Sequence, residues 1–311
     1  MIGQSAAALA HKLWIYQRER FPLFRTSLLL VVFTAASISV SANLAARPAP
    51  GLWTFFVAWL ATLMIFFQLR ASDEVKDFED DARYRPERPI PRGLVSLRLI
   101  VGVALLSAPL AAALAASLDL AVLAPLAGVW LWLALMSVEF FAPHWLKARP
   151  FAYLVSHMAI MPLIDLFVTS TEWLPHSLYP PGGLGWFLAL SFANGCVLEI
   201  GRKIWAPENE RDGVETYSAL LGPARATELW IGALCVACAL LIGVGFAVGA
   251  PKIVSGIGVA AFIVVAILAS GFMRKPTHQG QKLIDALAGV WVLICYGTAG
   301  FAPHLLSGFA A

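Results

Sequence analysis

Residues 71–93, ASDEVKDFEDDARYRPERPIPRG, form a strongly charged stretch between two long apolar runs. Six carboxylates fall within the nine residues 73–81, against one lysine, and four arginines threaded by three prolines follow in 83–93. Like charges at such short spacing repel one another, so the acidic half needs a counter-charge. A cluster of this kind at the edge of an apolar segment indicates the charged mouth of a membrane-embedded bundle.

The composition agrees with a membrane location for the rest of the chain. Of its 311 residues, 59% are hydrophobic and only 13% are charged, and the mean hydropathy is +0.76. Soluble domains carry about a quarter charged residues. A helix needs roughly 20 apolar residues to cross the hydrocarbon layer, and helices satisfy their own backbone hydrogen bonds there. We therefore predict an all-α polytopic membrane protein.

The apolar runs predict nine transmembrane helices in a single domain, residues 1–311. They fall near 25–46, 51–70, 99–118, 120–140, 150–170, 184–203, 226–249, 252–272 and 283–306. Residues 1–24, which are rich in basic and aromatic side chains, are predicted to be a cytoplasmic interfacial segment or a simple lead-in to the first span. Two long polar segments, 71–98 and 204–225, are predicted to be cap loops over an active site.

Basic residues are distributed very unevenly between the two sides of the predicted bundle. Twenty of the 22 lysines and arginines fall on the side that carries 71–98, which leaves Arg47 and Lys252 for the other side. Because basic loops stay in the cytoplasm, we predict a plasma (inner) membrane protein with a cytoplasmic amino terminus, cytoplasmic cap loops and an external carboxyl terminus. No nucleic-acid partner is implied, because the net charge of +3 belongs to no separate basic domain.

The acids of the opening stretch share a helical spacing. If the second span continues as a helix past Arg70, then Asp73, Asp77 and Asp81 recur every fourth residue along one face, with Glu74 beside them. Divalent cations with oxygen ligands neutralise such a face, and Mg²⁺ is commonly held by one or two carboxylates together with substrate phosphates. The spacing therefore predicts a magnesium site.

The basic half of the stretch points to phosphate. Its prolines end the helix and fix an extended turn, which would fold the guanidinium groups back toward the acids. Arginine matches phosphate oxygens in a bidentate manner, and Arg83 and Arg88 are the candidates for a diphosphate site. Together with the acids, they predict a diphosphate that carries a lipid tail. The alternative is a juxtamembrane charge cluster whose arginines only hold the topology.

DEVKDFEDDARYRPERPIPRG resembles the first aspartate-rich motif of the UbiA superfamily of intramembrane prenyltransferases, NDxxDxxxD followed by RPxRPxxxG. Asp73 stands at the asparagine of that motif, Glu74 at its first aspartate, and Asp77 and Asp81 at the other two. The resemblance implies that these four residues bind Mg²⁺, and that Asp77 and Asp81 are catalytic. It also implies a prenyl diphosphate substrate, with membrane lipid as the surroundings.

The second acidic motif of the family, DxxxD followed by GxxT, is altered in this chain. The corresponding stretch, 198–222, reads LEIGRKIWAPENERDGVETYSALLG. If the motif is aligned from the end of the span, Glu199 stands at its first acid position and Lys203 at its second. If it is aligned from GVET instead, Asn209 stands at the last acid position and Trp205 at an earlier one. We prefer Glu199 as a further metal ligand. Arg202 and Lys203 are then expected either to bind diphosphate directly, with one Mg²⁺ missing or weaker, or to anchor the span.

The chemistry implied by the resemblance is ionisation of an allylic diphosphate and capture of the carbocation inside the bundle. Ionisable residues within a span are costly and usually face the interior. Asp165 is the deepest, and we predict a catalytic role for it as a chamber acid or an acceptor-orienting base. His157 lies eight residues earlier, roughly 80° around the helix, so the two could face one chamber. Glu139 is expected to pair with Lys147 or Arg149.

Three functions remain open at this point. The leading one is an Mg²⁺-dependent prenyltransferase that acts on a polyprenyl diphosphate and a small aromatic or lipid acceptor. The second is a membrane terpene cyclase of the same superfamily, in which the double bonds of the substrate capture the cation. The third is a non-enzymatic metal-ion transporter, whose acidic loop binds the ion and whose path is lined by Asp165. Release of diphosphate from an allylic substrate separates the first two from the third.

Overall fold

The computed structural model of the protein describes residues 6–308, so residues 1–5 and 309–311 of the predicted domain lie outside it. All regular structure in the described part is helical, as predicted. The α-helices are α1 (Ala6–Arg20), α2 (Leu23–Leu44), α3 (Leu52–Lys76), α4 (Phe78–Tyr84), α5 (Leu97–Ala116), α6 (Leu123–Ser137), α7 (Pro143–Lys147), α8 (Pro150–Met158), α9 (Ile160–Trp173), α10 (Leu184–Arg202), α11 (Tyr217–Leu221), α12 (Pro223–Ala247), α13 (Pro251–Arg274) and α14 (His278–Gly308).

Nine helical segments of the described chain are long and apolar enough to span a membrane, which confirms the predicted number. They are Leu23–Leu44, Leu52–Lys76, Leu97–Ala116, Leu120–Ser137, Pro150–Trp173, Leu184–Arg202, Pro223–Ala247, Pro251–Arg274 and His278–Pro303. The fifth is broken at Ala159 into α8 and α9. Pro162 lies in the first turn of α9 and lacks the amide that would continue the ladder of hydrogen bonds.

The outer surface of the bundle is apolar, as a lipid-facing surface must be. Phe24, Leu106 and Phe246 are 86%, 75% and 69% exposed, which would be unfavourable in water over so many positions. The interior is filled by other large side chains, and Trp230 and Trp291 are completely buried in it. The chain is therefore an integral membrane protein whose core is packed and whose outer face suits hydrocarbon.

The spans form a closed bundle in which the first and last are neighbours. α2 packs against α3, α9 and α14, while α10 packs against α9, α12 and α14. The contact of α2 with α14 is close at Gly300, where an added Cβ would lie 2.6 Å from the Cα of Ala36. Asn43 also donates a hydrogen bond to the carbonyl of Gly300 (3.1 Å). Only glycine allows the two backbones to approach this closely.

Both long polar segments lie at one end of the bundle, which we call the motif end. They contact each other there: Arg211 and Glu87 form an ion pair (3.7 Å), and the ring of Tyr84 covers Gly213 so closely that a Cβ would collide with it. The second segment is also tied to α14, because Gln281 Oε1 accepts hydrogen bonds from the Ala206 amide (2.9 Å) and a neighbouring side chain. The two segments therefore form one polar surface.

Candidate active site

The first acidic motif follows a nearly continuous helical path. The backbone amides of Asp77, Asp81 and Arg85 donate to the carbonyls four residues earlier at 2.9, 2.7 and 2.9 Å. α3 ends at Lys76 and α4 begins at Phe78, so the path is only slightly interrupted between them. The three acids at every fourth position consequently lie about one turn apart along one side, as the spacing predicts.

Glu74 is held by the amino-terminal helix. Its Oε1 accepts from Arg20 Nε at 2.6 Å and from the Tyr16 hydroxyl at 3.4 Å, and Glu74 is only 3% exposed. Burial, together with the charge of Glu74, raises the pKa of Tyr16 far above its usual range, so this hydroxyl stays protonated and can donate. Sequence reasoning did not identify Arg20, because nothing in the order of residues shows that α1 lies against the end of α3.

Asp81 is enclosed by the arginines of the proline-rich tail. Arg85 Nη1 lies 3.2 Å from Asp81 Oδ1, and Arg88 Nη1 lies 2.5 Å from Oδ2. The prolines therefore do fold guanidinium groups back onto the acids, as predicted. Arg83 points elsewhere: it is exposed, and its guanidinium carbon lies 5.2 Å from the centre of the Tyr84 ring. Arg83 is consequently free to meet a ligand, whereas Arg88 is engaged.

Asp73 and Asp77 are the least compensated acids of the motif. Asp73 reaches Arg70 only at 3.7 Å, with 45% of its side chain exposed. The Asp77 carboxylate has no hydrogen bond or ion pair with any described residue. Burial raises the pKa of Asp77, and the charges of Asp73 and Asp81 raise it further. Two neighbouring carboxylates in this condition favour the approach of a cation.

The altered second motif carries its own counter-charges. Glu199, at the end of α10, is 5% exposed and forms ion pairs with Arg202 and with Lys203, the latter at 3.0 Å. Lys203 Nζ also lies 5.8 Å from the centre of the Tyr153 ring. In the alternative alignment, Asn209 would be an acid position, but its amide binds α14 instead. The structure thus brings Glu199, Arg202 and Lys203 together.

A second polar cluster at the motif end consists of Lys76, Glu139, Tyr153 and His157. Lys76 Nζ lies 2.8 Å from Glu139 Oε1, and 3.2 Å from both the Tyr153 hydroxyl and His157 Nε2. His157 Nδ1 faces the Tyr153 carbonyl at 3.0 Å, and a carbonyl can only accept, so Nδ1 carries the proton. His157 Nε2 also lies 3.4 Å from Glu139 Oε2, so this nitrogen faces both the lysine and the carboxylate.

A strained turn places Glu139 in this cluster. Glu139, Phe140 and Phe141 have φ of 50°, 51° and 59°, a left-handed conformation that is costly for residues other than glycine and is often found at functional sites. The expected pairing of Glu139 with Lys147 or Arg149 is therefore wrong. Burial acts to raise the pKa of Glu139, but hydrogen bonds from the cluster outweigh it, so the pKa is lowered and the group stays ionised.

Asp165 lies deeper in the bundle, in a separate hydrogen-bonded network. It is completely buried; its Oδ1 accepts from Ser37 at 2.7 Å and its Oδ2 from the Tyr296 hydroxyl at 2.5 Å. Tyr296 lies between Asp165 and Ser191. No hydrogen bond joins this network to His157 within the described chain. His157 lies in α8 and Asp165 in α9, on the two sides of the break at Ala159, and that the two face one chamber stays a prediction.

Asp73 and Asp77 fit a divalent cation best among the predicted ligands. No group of three or more histidine, cysteine or acidic side chains in the described residues is arranged to hold a metal by itself. Mg²⁺ does not require such a group, since it keeps several waters and uses substrate phosphates beside one or two carboxylates. The oxygens of Asp73 and Asp77 are hard ligands without strong partners, so they suit this chemistry.

Comparisons with known proteins bear on the family and the fold of the chain. The sequence profile of the UbiA prenyltransferase family matches residues 30–284. The chain belongs to the UbiA prenyltransferase family. Two solved structures share the fold of this UbiA-family protein. One comes from a study of digeranylgeranylglyceryl phosphate synthase in membranes and has a TM-score of 0.65 at 12% identity. The match covers 94% of this chain and 99% of the chain in that structure.

The other solved structure is a UbiA homologue from Aeropyrum pernix K1 without ligand. It has a TM-score of 0.63 at 19% identity and covers 89% of this chain and 97% of its own. A comparison with curated protein sequences found no match. The match to the family begins at residue 30, so α1 and its Arg20 lie before the part of this UbiA-family protein that the profile describes.

Proposed function

We propose that this protein transfers a prenyl group from an allylic polyprenyl diphosphate to a small aromatic or lipid acceptor, in an Mg²⁺-dependent reaction. The observation that carries the proposal is the pair of weakly compensated acids, Asp73 and Asp77, at a bundle mouth rich in arginine and lysine, in a chain of the UbiA family. Neighbouring acidic and basic side chains suit a diphosphate substrate that binds together with a metal ion, because the acids can bind the ion and the basic residues the phosphate oxygens.

Asp73 and Asp77 would hold the Mg²⁺ ion. When bound, the ion neutralises negative charge that develops on the departing diphosphate. The metal-ligand roles of Glu74, Asp81 and Glu199 stay predictions, as does a catalytic role for Asp81. In the present arrangement each of these three carboxylates is already bonded to a resident arginine or lysine.

Basic side chains around the mouth would bind the diphosphate. Arg83 is exposed and unengaged by any acid. Arg88, Arg202 and Lys203 lie on the same polar surface and are paired with acids, but each has further N–H donors that could bind phosphate oxygens. As the allylic carbon–oxygen bond breaks, its electron pair leaves with the diphosphate. Fixed positive charges that face those oxygens lower the barrier to this step.

The acceptor supplies the electrons of the new bond to the allylic carbon and then loses a proton. Within the bundle few groups can receive it. Asp165 remains our prediction for an acid or base, although both of its oxygens now accept hydrogen bonds. His157, whose Nε2 lies near Lys76 and Glu139, is a second polar group closer to the motif end. Apolar surroundings exclude water, which would otherwise capture the carbocation.

An apolar groove beside α10 would suit the prenyl tail. It has a volume of about 490 Å³ and is lined by residues of α9, α10 and α12, including Phe192, Cys196 and Leu240. Cys196 precedes Glu199 by three residues on the same helix, so the groove runs toward the motif end. A chain bound there would place its diphosphate near the acids while its tail remains in an apolar environment.

The first test uses purified protein in detergent with Mg²⁺ and geranyl, farnesyl or geranylgeranyl diphosphate. We expect diphosphate release and a prenylated product only after an acceptor is added, supplied first as a lipid extract. Asp77→Asn should lower turnover at least 100-fold, because it removes one of two free metal ligands. Glu79→Gln is the matched control: Glu79 is exposed, and because it lies two residues after Asp77 it points to the other side of the helix, so turnover should stay within about twofold.

Other outcomes of this experiment identify the other functions. A cyclised hydrocarbon or alcohol formed without an acceptor would replace the transferase by a terpene cyclase, a candidate favoured by the altered pairing of Glu199. Metal flux into proteoliposomes without diphosphate release would point to a transporter. Full activity of Asp77→Asn would contradict the metal assignment.

A further inference from the structure

The helix α1 places a permanent cation among the acids of the first motif. Arg20 Nε lies 2.6 Å from Glu74 Oε1, and its Nη2 lies 3.9 Å from Asp81 Oδ2. The side chains of both acids are 3% exposed and that of Arg20 is 11% exposed. Arg20 Nη2 is itself buried without a hydrogen-bond partner. The guanidinium is therefore held between two buried carboxylates, and its charge offsets theirs.

The position of α1 is fixed by contacts other than Arg20. Tyr16 is 2% exposed and packs in a small apolar cluster with Ile90 and Val95. Glu19 forms a two-pronged ion pair with Arg92 (2.8 and 3.0 Å). Residues that follow the acidic motif thus hold the helix in place, and Arg20 is presented to the acids by a docked element.

The remaining buried acids of the two motifs also have resident cations. Asp81 binds two arginines of the proline-rich tail, and Glu199 binds the arginine and lysine that follow it. A carboxylate oxygen that accepts a short, charged hydrogen bond in a buried position is not free to ligate a metal ion. On the face that carries Asp73, Asp77 and Asp81, the first two lack a close cation: Asp73 reaches Arg70 only at 3.7 Å, and Asp77 has no partner among the described residues.

We propose that Arg20 is a resident counter-ion that takes the place of a metal ion in the first motif, and that this protein binds one divalent cation, through Asp73 and Asp77, rather than two. Glu74 then serves to hold Arg20, and Lys203 occupies the acid position that would complete a second metal site in the second motif. The inference rests on the proposed function, because it assumes that the cofactor is a divalent cation.

The test is a count of bound Mn²⁺, used as a paramagnetic probe, on the full chain in detergent with inorganic diphosphate. Free Mn²⁺ is measured by electron paramagnetic resonance during a titration. We expect one Mn²⁺ per chain in the unmodified protein, and two in Arg20→Gln, since that change removes the cation that lies between Glu74 and Asp81. Arg18→Gln is the matched control, because Arg18 is an exposed arginine on the same helix, and it should bind one.

Two Mn²⁺ per unmodified chain would overturn the proposal, and so would an unchanged count in a folded Arg20→Gln variant. If Arg20→Gln does not give a monodisperse protein, the Glu74→Gln variant is the alternative test. We expect it to bind one Mn²⁺ with an affinity within about threefold of that of the unmodified protein. Loss of the ion would show that Glu74 is a ligand and would overturn the proposal. The count needs no turnover. A protein that binds one Mn²⁺ but releases no diphosphate would therefore refute the proposed function and leave this inference standing.

Discussion

At the scale of single residues, the acidic groups of the bundle divide into those with hydrogen-bond partners and those without. Asp165 is completely buried and has a donor on each of its oxygens. Asp77 has no partner among the described residues, and the pKa of Asp77 is raised by burial and by its acidic neighbours. A satisfied buried group stabilises the fold, whereas an unsatisfied one is costly and is retained for function.

Tyr296→Phe tests the structural side of this division. The change removes the hydroxyl that donates to Asp165 Oδ2 and leaves that oxygen buried without its donor, so we expect a loss of about 1–3 kcal/mol in the free energy of unfolding. The measurement is the apparent unfolding temperature in detergent. Tyr179→Phe is the control: Tyr179 is 80% exposed, and it should change stability by less than about 0.5 kcal/mol. Equal stability of the two variants would contradict a structural role for the network.

At the scale of helices, the contact between α2 and α14 closes the bundle. It depends on one residue without a side chain: a Cβ at Gly300 would lie 2.6 Å from Ala36 Cα and 2.7 Å from its carbonyl oxygen. Both neighbours are backbone atoms and cannot rotate away as a side chain could. The two helices can therefore accept a larger residue here only by moving apart, which would disturb Asp165 and Tyr296 nearby.

Gly300→Ala should accordingly destabilise the protein by about 1–3 kcal/mol, the usual cost of overpacking, as measured by thermal unfolding in detergent. Gly297→Ala is the matched control on the same helix, because a Cβ there meets no atom within 4 Å. It should be neutral, or stabilise the protein by up to about 1 kcal/mol through helix propensity. A neutral Gly300→Ala would mean that the helices do not approach as closely as described.

At the scale of the whole molecule, nine spans place the two polar segments at one end. Twenty of the 22 basic residues were assigned to that side from the sequence, and this distribution predicts that the motif end faces the cytoplasm. The substrate would then bind and its diphosphate would leave on the cytoplasmic side.

Accessibility to a membrane-impermeant maleimide tests this orientation. In intact bacterial cells that express the protein, Leu178→Cys, at an 80% exposed position opposite the motif end, should react. Glu87→Cys, whose side chain is 66% exposed at the motif end, should react only after the membrane is permeabilised. The unmodified chain is the control, because its four cysteines lie within the spans. Labelling of Glu87→Cys in intact cells would reverse the orientation.

Much of the fold and part of the site follow from local sequence. Nine apolar runs of about 20 residues predict the nine spans found in the described chain, because a chain in hydrocarbon must form all its backbone hydrogen bonds internally and a helix does so. Asp73, Asp77 and Asp81, which recur at every fourth residue, lie along one side in the structure because this depends only on local helical geometry. Arg85 likewise meets Asp81 because it lies four residues later at helical spacing, and Arg88 returns to Asp81 after the turn at Pro86.

Only the tertiary structure decided which charges meet across helices. Arg20 is 54 residues from Glu74, and Glu139 reaches Lys76 through a left-handed turn that no residue type in it favours. Local propensity carries no information about such partners, since they depend on how whole helices pack. The sequence by itself therefore determined a membrane bundle with an acidic mouth. Packing determined that Glu74 and Asp81 meet arginines closely, whereas Asp73 and Asp77 do not.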